Sequence, residues 1–71
     1  MTTYIAVYED YTPELFKSAK AMGQRFSGYF LDEDGTEPAT PAAIVKAIKA
    51  GGAVRIYPEG STDWVYKVFA A

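Results

Sequence analysis

The sequence predicts an α/β (or α+β) fold, a single two-layer sandwich in the order β-α-β-α-β-β. Two helices are expected on one face of a four-stranded, mostly parallel sheet, with the last strand antiparallel. Three observations carry this. Short apolar runs with period-two alternation are bounded by turn-forming residues. Thr12-Pro13 and Thr40-Pro41 each precede a run of helical spacing. Strand–helix–strand units normally place their strands parallel, through right-handed crossovers.

The first strand is Tyr4 to Tyr8, with Ile5 and Val7 on one face and Tyr4, Ala6 and Tyr8 on the other. After Glu9-Asp10-Tyr11, Thr12 is placed as N-cap and Pro13 as the first helical residue. Leu15, Phe16, Ala19 and Met22 then share a helical face, and Gly23 supplies a stop. The first helix is therefore expected over Pro13 to Met22. Arg25 to Leu31 reads as the second strand, with Gly28 marking a bulge or a close backbone approach. Thr40-Pro41 opens the second helix, Pro41 to Ala50, whose apolar side is Ile44, Val45 and Ile48, and Gly51-Gly52 ends it. Ala53 to Tyr57 is the third strand. A loop dense in turn formers leads to the fourth, Trp64 to Phe69, whose Trp64, Tyr66 and Val68 face is the expected core side.

Composition sets the limits. A chain of 71 residues has room for one compact domain, residues 1–71, and at this size about 60% of the unfolded surface is buried. No Cys and no His are present. That removes disulfides, zinc thiolate sites, thiol nucleophiles and the usual general base. The core must carry the fold, and 49% hydrophobic with 15% aromatic residues can do so. A net charge of −2 argues against direct binding to a phosphate backbone. Apolar runs fall short of the roughly 20 residues of a membrane span, and the N-terminus lacks the basic and apolar regions of a signal peptide. A cytoplasmic protein, or one delivered into a host cytoplasm, is the expectation.

The densest acid follows an aromatic run: Gly28-Tyr29-Phe30-Leu31-Asp32-Glu33-Asp34-Gly35-Thr36-Glu37. In a parallel sheet the loops after the first three strands leave at one edge. They hold all nine acids: Glu9, Asp10 and Glu14; Asp32, Glu33, Asp34 and Glu37; Glu59 and Asp63. An acidic rim with Tyr8, Tyr11, Tyr29 and Tyr57 in or near it is expected. Tyrosine supplies anchors and charge supplies steering.

Phe30-Leu31-Asp32-Glu33-Asp34-Gly35-Thr36 resembles the first motif of haloacid-dehalogenase-type phosphotransferases, in which an apolar strand delivers Asp-x-Asp-Gly-Thr. The resemblance implies Asp32 as nucleophile and Asp34 as acid/base. It covers seven residues, and that family's lysine and further metal-binding acids lie on later strands of a much larger domain. No Gly-x-Ser-x-Gly elbow, phosphate-binding glycine loop or EF-hand spacing is present.

The expected function is therefore non-enzymatic, with no cofactor: an acidic module docking on a basic, nucleic-acid-binding surface of a larger protein or nucleoprotein complex. By analogy of size and charge it would be a phage or mobile-element inhibitor, anti-CRISPR-like or DNA-mimic-like. Its partner-binding residues would be Asp32, Glu33, Asp34, Glu37, Glu9, Asp10 and Glu59, with Tyr29 and Tyr57 as anchors. The alternative is a small ligand- or divalent-metal-binding domain using the loop carboxylates of Asp10, Asp32, Asp34 and Glu59. A homodimer through the Val65 and Phe69 face is a third reading.

Overall fold

The computed structural model describes residues 2–9, 11–59 and 65–71. Its elements are β1 (Tyr4–Val7), β2 (Glu14–Phe16), α1 (Ala19–Arg25), α2 (Pro41–Gly51), β3 (Ala53–Ile56) and β4 (Tyr66–Ala70). The four strands form one sheet in the order β2-β1-β4-β3, and every neighbouring pair is antiparallel. This corrects the mostly parallel sheet expected above, and with it the order β-α-β-α-β-β.

The correction has two local causes. Thr12-Pro13 leads into a strand, since Glu14–Phe16 pairs with β1 in the register Tyr4↔Phe16, Ile5↔Leu15, Ala6↔Glu14. Only residues 8–13 separate β1 from β2. That is half of what a parallel crossover needs, so the pair closes as a hairpin. The helix starts later, at Ser18, whose hydroxyl accepts the Ala21 N–H at 3.1 Å. Second, Arg25 to Leu31 is no strand. Arg25 ends α1, Phe26 caps it, and the chain turns through Gly28 at φ +86°. Phe30 alone makes isolated bridges, to Pro38 and Tyr57.

The second helix follows its sequence signals. The Thr40 hydroxyl accepts the Ala43 N–H at 3.2 Å and Pro41 sits in the first turn. Gly52, left-handed at φ +82°, donates its N–H to Ile48 O at 2.7 Å.

α2 packs on β3 and β4, while α1 packs on α2 and β2. Met22 and Phe26 from α1, Ile44 and Ile48 from α2, and Tyr4, Ala6, Ile56 and Val68 from the sheet meet in one core with Ala39. Phe16, Val54 and Tyr66 pack against it from the same face of the sheet. The Tyr66 and Val68 side of β4 thus turns inward; Trp64 lies outside the described residues. The opposite face carries Ile5, Val7, Leu15, Ala53, Arg55, Lys67 and Phe69, none of which joins the core. Among the described residues no helix is long and apolar enough to cross a membrane.

Candidate functional site

β1 and β3 are both antiparallel to β4, so they run in the same direction. The chain therefore leaves both strands at one end of the sheet, carrying Tyr8 and Glu9 after β1 and Tyr57 and Glu59 after β3. β2 starts at that end with Glu14. Phe30 and Tyr57 exchange N–H···O=C bonds of 2.9 and 2.7 Å, which fastens the segment before Asp32 to the end of β3. Antiparallel pairing thus gathers Glu9, Glu14 and Glu59 by a different route from the one expected. Asp10 and Asp63 lie outside the described residues.

The same end holds a tyrosine cluster. The turn after β1 closes through Tyr11 N–H to Tyr8 O at 3.0 Å, with Glu9 in the left-handed region at φ +45°, uncommon outside glycine. It stacks Tyr8 on Tyr11, with centroids 5.3 Å apart and planes at 18°, and Tyr8 lies 5.5 Å from Tyr66. A concavity of about 480 Å³ opens here, lined by Ala6, Tyr8, Tyr11, Thr12, Glu14 and Tyr66. Tyr11 is 68% exposed at its mouth. Desolvation and then the neighbouring Glu9 raise the Tyr8 phenol above its ordinary pKa, so it stays neutral.

Behind the concavity lies Arg25. Its Nε donates to Glu14 Oε1 at 2.9 Å, and its Nη2 to Glu14 Oε2 at 3.3 Å and Tyr66 Oη at 3.0 Å. Its Nη1 reaches Tyr29 Oη at 3.5 Å. The Cζ stands 5.2, 5.9 and 5.3 Å from the Phe26, Tyr29 and Tyr66 ring centroids. Hydrogen bonding to Tyr29 and to Glu14 raises the guanidinium pKa, so Arg25 stays charged. This network fixes the floor of the concavity and explains why an acid sits on the inward face of an edge strand. Arg25 and Tyr66 were not among the expected site residues. The alternation that places Tyr66 beside Val68 on the core side is the signal that could have found the second.

The remaining expected residues divide. Tyr29 is half-buried, 5.3 Å from Phe26 and 6.1 Å from Tyr66, with its hydroxyl turned to Arg25. Tyr57 is also half-buried. Asp32 belongs to its own turn: its carboxylate accepts the Thr36 N–H at 3.0 Å, the Glu37 N–H at 2.9 Å and the Thr36 hydroxyl. These bonds, the Thr36 hydroxyl first and the Glu37 amide next, hold its pKa below the ordinary range. Glu33, Asp34 and Glu37 are exposed on the same turn, as are Glu9 and Glu59 elsewhere. Among the described residues no three acids come together as metal ligands. Compared with protein-family models, curated proteins and solved structures, the chain matches none.

Proposed function

We propose that this chain is a non-enzymatic protein-binding module that docks its acidic, tyrosine-lined end on a basic surface of a larger protein or nucleoprotein complex. The observation that supports this reading best is the concavity of Tyr8, Tyr11, Tyr66 and Glu14 at the end of the sheet where Glu9 and Glu59 also emerge. A partner's Arg or Lys laid there would meet tyrosine ring faces. The surrounding carboxylates would steer it and occupy the places of nucleic-acid phosphates. Glu33, Asp34 and Glu37 extend the negative field beyond the pocket. An inhibitor of the kind phages and mobile elements direct at nucleic-acid-guided complexes is consistent with this size and charge.

The test is affinity capture from host lysate, read by mass spectrometry, at low salt and at about 0.15 M, where the Debye length is about 8 Å. The wild-type chain should retain one basic complex, less of it at the higher salt. Glu9→Gln/Glu59→Gln/Tyr11→Ala should lower retention at least tenfold, and Glu33→Gln/Asp34→Asn/Glu37→Gln should chiefly flatten the salt dependence. A blank at both salts, or capture indifferent to both variants, would refute the reading.

A further inference from the structure

We infer that the outer face of the sheet is a second docking surface, taking a partner-protein segment that presents apolar side chains beside carboxylates. It goes beyond the acidic-end reading and does not depend on it. Both helices cover the inner face, and nothing described covers the outer one. Pairing registers align Leu15, Ile5, Phe69 and Ala53 in one row across all four strands. Leu15, on the edge strand, is 66% exposed. One step along the strands lies a second row, Val7, Lys67 and Arg55.

Lys67 and Arg55 are exposed and directly opposite each other. Like charges so placed repel. Among the described residues neither has a carboxylate partner, and no acid occupies this face of the strands. Among the described strand residues, a chain with net charge −2 thus borders an apolar row with two cations and no acid. That chemistry is completed by an occupant with an apolar ridge and adjoining acids. A second copy offering the same face brings no carboxylate, so self-pairing leaves both cations uncompensated. Nucleic acid would satisfy the cations but leave Leu15, Ile5 and Ala53, three of the four residues of the row, without an apolar partner. Strands are about 4.8 Å apart, so the row is about 15 Å long. That length matches four or five residues of extended chain, or about ten of helix.

A random twelve-residue peptide display library is therefore a suitable probe, panned on the full chain. Enriched peptides should combine two or more large apolar residues with Asp or Glu. A synthetic enriched peptide should shift the amide resonances of Ile5, Lys67 and Phe69, and bind Leu15→Lys at least tenfold more weakly. Arg55→Glu/Lys67→Glu should select basic peptides instead, and Arg55→Glu alone should weaken the acid preference if the double variant does not fold. Basic peptides lost on Glu9→Gln/Glu59→Gln/Tyr11→Ala would belong to the acidic end and not count here. No enrichment, enrichment blind to the charge reversal, or a wild-type dimer in sedimentation that Leu15→Lys dissociates would overturn the proposal.

Discussion

Asp32 is where a functional-looking residue is most fully explained by its own neighbours. Two backbone amides and one hydroxyl converge on its carboxylate, and they favour the charged form. A carboxylate with a depressed folded pKa adds stability above its unfolded value, and loses it as pH falls through the folded one. The Thr36 and Glu37 amide proton shifts should therefore titrate together, with a midpoint below the ordinary 3.8. Asp32→Asn keeps an acceptor oxygen and should abolish that titration. A midpoint at or above 3.8 would show that the bonds do not hold in solution. Charge alone made the acids visible in the sequence. Their roles were not visible, because they depend on partners elsewhere in the chain. Glu14 looks like an acid favoured near a helix start, yet it is held by Arg25 eleven residues on, whose second partner, Tyr66, is forty-one residues further.

At the scale of elements, α1 is seven residues long, too short to persist alone in water. Its contact with α2 depends on Gly23. A Cβ built there would stand 2.1 Å from Pro41 Cγ, and the proline ring cannot swing aside. Gly23→Ala gains about 1 kcal/mol of helix propensity but forces the helices apart. We expect a net loss of about 1–2 kcal/mol, seen as a lower thermal midpoint; a higher midpoint would mean that α2 shifts freely. Gly23 looked like a helix stop in the sequence because its tertiary contact was hidden. The same contrast separates the two Thr-Pro starts. Thr40-Pro41 has a cap, eleven helical residues and a glycine terminator, all local signals. Leu15 and Phe16 satisfy helical spacing and strand alternation equally well, and it is pairing with Tyr4 and Ile5 that selects the strand. Once that segment is a hairpin arm, the parallel sheet is lost. The common exit of β1 and β3 survives, since both pair antiparallel with β4.

For the whole molecule, a one-sided core and two surfaces of opposite character follow from the same layering. The sheet end on the helix side is acidic and tyrosine-rich, while the face that none of the described elements covers is apolar and cationic. A small domain has little stability to spare, so repulsion between paired strands of its sheet, β4 and the edge strand β3, needs a reason. Lys67→Glu would place an acid opposite Arg55 and turn a repulsive cross-strand pair into an attractive one. Exposure screens both effects, which leaves about 0.5 kcal/mol. In a domain of this size that raises the thermal midpoint by about 2–4 °C. The rise should shrink at 1 M salt, where the Debye length is about 3 Å, and Lys67→Gln should give roughly half of it. If the midpoint rises as the docking preference for acidic peptides falls, the cation at Lys67 is retained for a partner at the expense of the fold. An unchanged midpoint at low salt would remove the repulsion argument and leave the apolar row as the sole support for that surface.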